Sequence, residues 1–151
     1  MLRGRLEDAL KAAIKAKDAR KRSTLRLILA AIKDRDISER TTDGKDQVSD
    51  EEILGILAKM VRQREESLKI YEEAGRLELA EQEREEVVII ESFLPKQLSD
   101  QEVQDACEAL VGELGATGLK DMGKMMGALK ERYAGKMDFG KANKKVKELL
   151  S

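Results

Sequence analysis

With 151 residues, a hydrophobic fraction of 41% and only 3% aromatic residues, the chain can form one ordinary domain or two small ones around modest cores. Charged residues make up 39% yet nearly cancel to a formal net charge of -1, and the lack of histidine removes the usual general base near neutral pH and the commonest nitrogen ligands of zinc and copper. One cysteine, Cys107, excludes an internal disulfide; the absence of any bilayer-length apolar run or secretory h-region predicts a cytoplasmic protein without membrane association.

A single proline, Pro95, and a high content of Leu, Ala, Glu, Lys and Arg predict an all-α chain, because these side chains lose little freedom in a helix. The first helix carries the apolar stripe Leu2, Leu6, Ala9, Leu10, Ala13 and Ile14, and the second carries Leu25, Ile28, Leu29 and Ile32. Polar, aperiodic residues from Thr41 to Gln47 predict a loop. Ser49 with Glu52 three residues on is a capping-box signature opening a third helix through Ile53, Leu57, Met60 and Val61 to a stop at Gly75. A fourth helix follows over residues 77–94, absorbing the run Val87-Val-Ile-Ile90, and ends before Pro95.

Residues 95–98 read as a hinge between an N-terminal four-helix part, 1–94, and a small C-terminal three-helix part, 99–151. Ser99 and Glu102 repeat the capping box before a fifth helix with Val103, Ala106, Cys107, Leu110, Val111 and Leu114 on one face. Gly112, Gly115 and Gly118 break the chain before a sixth helix bearing Met122, Met125, Met126, Leu129 and Tyr133, and Gly135 separates it from a seventh whose cap is Asp138. Two glycines within the sixth helix, Gly123 and Gly127, cost roughly 1 kcal/mol each relative to Ala, which points to close approach of another backbone there.

Chemistry finds little foothold. Ser23, Ser38 and Ser67 have no base at motif spacing, and the pairs Glu72-Glu73 and Glu85-Glu86 diverge by ~100° around a helix instead of converging on an ion. The glycines at 112, 115 and 118 lack the strand, lysine and hydroxyl of a phosphate-binding loop. No catalytic residue, metal site or cofactor is expected, and Cys107 reads as a small core residue.

Charge is uneven along the chain. Residues 1–48 hold thirteen basic against eight acidic side chains, residues 49–98 seven against thirteen, and residues 116–151 nine against four. On the second helix Arg22, Arg26 and Lys33 recur along one edge; on the sixth and seventh, Lys124, Lys130, Lys141, Lys144 and Lys145, with Arg132, add a second basic region. Such spacing suits contacts to an RNA phosphate backbone, although lysine-rich faces are common on soluble helices and the plainer reading is a solvated surface.

Four segments carry a resemblance: Thr24-Leu-Arg-Leu-Ile-Leu-Ala-Ala-Ile-Lys33 after Arg22; Lys59-Met-Val-Arg-Gln-Arg-Glu-Glu-Ser67 with Tyr71-Glu-Glu-Ala-Gly-Arg76; Phe93-Leu-Pro-Lys-Gln-Leu-Ser99; and Asp121-Met-Gly-Lys-Met-Met-Gly127. Together they resemble the YqeY family, in order and over nearly the whole chain. That family shares its domain with the C-terminal tail of the GatB subunit of tRNA-dependent amidotransferase. The resemblance implies a tRNA-engaging helical module, with Lys124 carried over from the Asp-Met-Gly-Lys element. Carbon–nitrogen ligase activity with glutamine as amido-N-donor would attach to such a chain only by association, since it lacks room for glutaminase and kinase domains. The expected partners are tRNA, the subunits of an amidotransferase, or another protein for which the chain is an adaptor.

Overall fold

The computed structural model describes the backbone of residues 1–43 and 47–151 and the side chains of 1–38 and 47–151. Among the described residues there are seven α-helices and no strand: α1 (Leu2–Lys15), α2 (Ala19–Asp43), α3 (Asp50–Glu73), α4 (Leu77–Glu91), α5 (Asp100–Leu114), α6 (Met122–Arg132) and α7 (Phe139–Leu150), with a 3-10 turn at Leu119–Asp121. The run Val87 to Ile90 is helical, as its charged surroundings predict. Contacts divide the chain into Met1–Pro95 and Lys96–Ser151.

The first unit is built from two hairpins, α1 against α2 and α3 against α4. Its core is the predicted stripe residues Leu2, Leu6, Ala13, Leu25, Ile28, Ile32, Ile53, Leu57, Met60, Val61 and Ile90, joined by Val48. The α1–α2 turn is closed by Lys17 N–H to the Ile14 carbonyl and Asp18 N–H to the Ala13 carbonyl, with Lys17 in the left-handed region at φ 56°. The α3–α4 turn closes in the same way, Gly75 N–H to Glu72 and Arg76 N–H to Tyr71, but there a glycine takes φ 71° without a Cβ penalty.

Two boundaries depart from the sequence reading, the ends of α2 and α4. Helix α2 begins at Ala19, because the Asp18 carboxylate accepts from Lys21 N–H and caps two polar turns ahead of the apolar stripe. It continues to Asp43, so the loop expected from Thr41 is helical over its first three residues; residues 44–46 of that loop lie outside the described part. The late turns of α2 are held from outside: Asp36 takes both Nη atoms of Arg3 at 3.0 and 2.9 Å and accepts Val48 N–H at 2.9 Å. Helix α4 stops at Glu91 and not at Leu94, since Ser92 to Leu94 tighten into turns bonded to Val88, Ile90 and Glu91 ahead of the proline, which disfavours helical geometry in the residue before it.

In the second unit, α5, α6 and α7 enclose Val103, Cys107, Leu110, Met125, Met126, Leu129, Met137, Ala142, Val146 and Leu150. The Ser99 box is complete: its hydroxyl accepts Glu102 N–H at 3.1 Å and Glu102 accepts Ser99 N–H at 3.0 Å. The segment read as a hinge is divided by the structure. Pro95 closes the first unit, whereas Gln97 donates to the Gly135 carbonyl and Leu98 N–H donates to the Lys136 carbonyl inside the second.

Candidate nucleic-acid interface

Helix α2 buries Thr24, Leu25, Ile28 and Ile32, which fixes the direction of every other side chain on it. At ~100° per residue Arg22, Arg26 and Lys33 then lie within about 40° of one another on an edge away from the core, spread over ~16 Å of helix. Arg26 and Lys33 are exposed and Arg22 is half-buried. The structure brings these three together on one edge.

Several arginines of the first unit are neutralised. Arg20 pairs with Glu85 at 3.0 Å, Arg3 with Asp36, Arg84 with Glu72 and Glu81, and Arg64 with the buried Glu86 at 3.1 Å. Arg22, Arg26 and Lys33 form no ion pair among the described residues. Acidic residues concentrate on α3 and α4, where burial raises the carboxyls of Glu83 and Glu91 above the ordinary range, each also repelled by a neighbour, Glu86 and Glu65 respectively.

The lysines of the second unit separate into different roles. Lys124 reaches across to donate to the Leu114 carbonyl, the last of α5, at 3.5 Å, where a cation meets the negative end of the helix dipole. Its motif partner Asp121 accepts Thr117 N–H at 2.9 Å and Gly118 N–H at 3.3 Å, which holds its carboxyl below the usual range. The charged pair of the Asp-Met-Gly-Lys element therefore binds the α5–α6 connection. Arg132 is likewise committed, to Glu113. Lys130 is exposed about 120° around α6 from Lys124, so those two do not converge.

On α7, Ala142, Val146 and Leu150 face the core, leaving Lys141 and Lys144 exposed on the outer side. Lys145 is half-buried at the flank, near enough to the buried Cys107 for its charge to act on the thiol, which burial itself pushes up. That thiol belongs to the core. Gly123 and Gly127 do not serve packing within the chain: a Cβ at either would meet nothing within 4 Å. The close approach expected there does not occur among the described residues, and both positions are open on the exposed side of α6.

The sequence reading missed a groove of about 920 Å³ beside the α2 edge, lined by Arg3, Glu7, Leu29, Lys33, Asp36, Ile37 and Gln47. Its one visible signal was Ile37, an apolar residue one turn beyond Lys33 and outside the predicted stripe, with the half-buried stripe residue Leu29 one turn before Lys33. Among the described residues no three metal-ligating side chains gather, and no helix is long and apolar enough to cross a membrane.

Comparison with known proteins adds identity to this geometry. The chain is 33% identical over 124 residues to Altered inheritance of mitochondria protein 41, mitochondrial, of Vanderwaltozyma polyspora, a match covering 78% of this chain and 64% of that protein. The protein of the same name from Kluyveromyces lactis is 35% identical over 89 residues, covering 58% of this chain and 45% of the relative. The chain thus spans between about half and two thirds of the length of these curated relatives. A family model described as Yqey-like protein matches residues 3–150, and the chain belongs to that family.

Proposed function

We propose that the chain is a non-catalytic RNA-binding module, with tRNA as its partner, that holds a phosphate backbone on the Arg22, Arg26 and Lys33 edge and on Lys130, Lys141 and Lys144. The carrying observation is the alignment of Arg22, Arg26 and Lys33 on one edge of α2, with no ion pair to any of them among the described residues. Positive charge at regular spacing on a rigid helix suits phosphate contacts, which position a nucleic acid without reading its bases. Lys124 and Arg132 contribute less in this reading, because the fold already employs them, and Lys145 because it is half-buried on the flank of α7. A role in tRNA-dependent amidation, as an accessory to a glutamine-using carbon–nitrogen ligase, is an extension of the same proposal that rests on the family resemblance. The relatives are mitochondrial by name; for this chain the cytoplasm is the proposed location and the mitochondrion the alternative they suggest.

A second reading, a protein-binding adaptor, draws on Leu77 and Val88, which are 70% and 67% exposed on the outer side of α4. Crosslinking the purified protein to cellular RNA and sequencing the recovered RNA tests the first reading, for which tRNA is the expected enrichment. Recovery of partners from lysate that survives ribonuclease, with no tRNA enrichment, supports the adaptor instead.

A further inference from the structure

The groove beside the α2 edge differs from that edge in the chemistry it offers. Lys33 belongs to both, so an RNA strand whose phosphates follow Arg22, Arg26 and Lys33 runs along the groove's border. Inside it, Arg3 is held by Asp36 through two hydrogen bonds of 3.0 and 2.9 Å, which neutralises its charge and fixes the plane of the guanidinium. A planar, immobilised guanidinium is a stacking surface for an aromatic base. Leu29 and Ile37, the latter 54% exposed, add apolar walls one on each side of Lys33. Glu7 is exposed and has no hydrogen bond or ion pair among the described residues.

A carboxylate repels phosphate, so Glu7 makes the groove a poor seat for the backbone and a suitable one for an uncharged group that donates hydrogen bonds. The Watson–Crick edge of guanine presents two adjacent N–H donors, which match a carboxylate bidentately; those of adenine, cytosine and uracil do not. We infer that this groove receives one unpaired guanine of the bound RNA, stacked against Arg3 and read by Glu7, while the neighbouring cations hold its flanking phosphates. This inference rests on the RNA-binding reading above and deepens it, turning a backbone-only contact into one with base preference.

The test measures binding of the full chain to short fluorescein-labelled oligouridylates that differ at one central position: guanosine, adenosine or an abasic sugar. The guanosine form is expected to bind roughly fivefold or more tighter than the abasic form, the scale of one stacked base. Glu7→Gln should erase the preference for guanosine over adenosine, and whatever affinity is gained by removing a charge that repels phosphate should be shared by all three forms. Arg22→Ala with Arg26→Ala should weaken all three forms alike. Equal affinity for the guanosine and abasic forms, or a guanosine preference that persists in Glu7→Gln, overturns the inference; if that equal binding still falls with the two arginines, the RNA-binding reading stands without it. No binding to any of the three, together with no enrichment of RNA on crosslinking, overturns both.

Discussion

Arg132 holds Glu113 through both of its terminal nitrogens, at 2.8 and 2.6 Å, while Lys130, two residues earlier on α6, points into solvent with no partner among the described residues. One cation of this helix is committed to an ion pair, and the other is open to solvent. Arg132→Ala should lower the thermal midpoint of the protein and change tRNA affinity little. Lys130→Ala should leave the midpoint in place and weaken tRNA binding severalfold, as loss of one phosphate contact does at moderate salt. Melting curves and filter binding on the two variants check the distinction.

The glycines of α6 give a prediction in which stability and function move in opposite directions. Since a Cβ at Gly123 or Gly127 meets nothing and neither has a positive φ, each Gly→Ala change should stabilise the fold by about 0.5–1 kcal/mol through helix propensity. If a partner's backbone lies against this face, the same changes should reduce binding. Chemical denaturation and partner titration of the double variant read the two effects separately, and a stabilised protein with undiminished binding would remove these residues from the interface.

How much of this was legible in the sequence follows from the range of the forces involved. Helix identity was legible, because the stripes Leu2–Leu6–Ala13 and Ile53–Leu57–Met60 and the Ser99–Glu102 box are local signals. The start of α2 was hidden because its first two turns are polar and its cap, Asp18, precedes the stripe by seven residues. The basic edge was legible as spacing, but which arginines near it are committed to ion pairs was not. Which arginines are neutralised depends on pairs such as Arg3–Asp36, 33 residues apart, and Arg20–Glu85, 65 apart, and no local pattern announces these. The roles of Asp121 and Lys124 were hidden for the same reason: their motif is conspicuous, yet its work lies in backbone groups of the preceding connection.

Thr24 is fully buried on α2, and its hydroxyl has no hydrogen-bond partner among the described residues. Valine has nearly the same shape without the polar atom, so Thr24→Val should stabilise the protein by about 1 kcal/mol. Urea denaturation measures it. A loss of stability would mean that the hydroxyl is satisfied in solution.

The two units should respond to acid in opposite senses. In the first, burial raises the carboxyls of Glu83 and Glu91 above 4.5, so they bind protons more readily when folded; their unfavourable contribution is complete at neutral pH and disappears as pH falls below 4.5. In the second, hydrogen bonds lower Glu102 and Glu113 below 4.5 and Asp121 below 3.8, so the stability they supply is present above those values and is lost as pH falls through their folded values. Glu83→Gln with Glu91→Gln should therefore stabilise the first unit at neutral pH, with the gain vanishing below 4.5. Hydrogen exchange followed over decreasing pH should show protection failing in residues 96–151 before residues 1–95.

The most direct test of the central claim is the salt dependence of tRNA affinity for the wild type and for Arg22→Ala/Arg26→Ala/Lys33→Ala. If these side chains hold phosphates, the slope of log affinity against log salt should become shallower by about two to three, with affinity falling at every salt concentration. A triple variant that folds normally and keeps both the wild-type affinity and the wild-type slope would contradict the account.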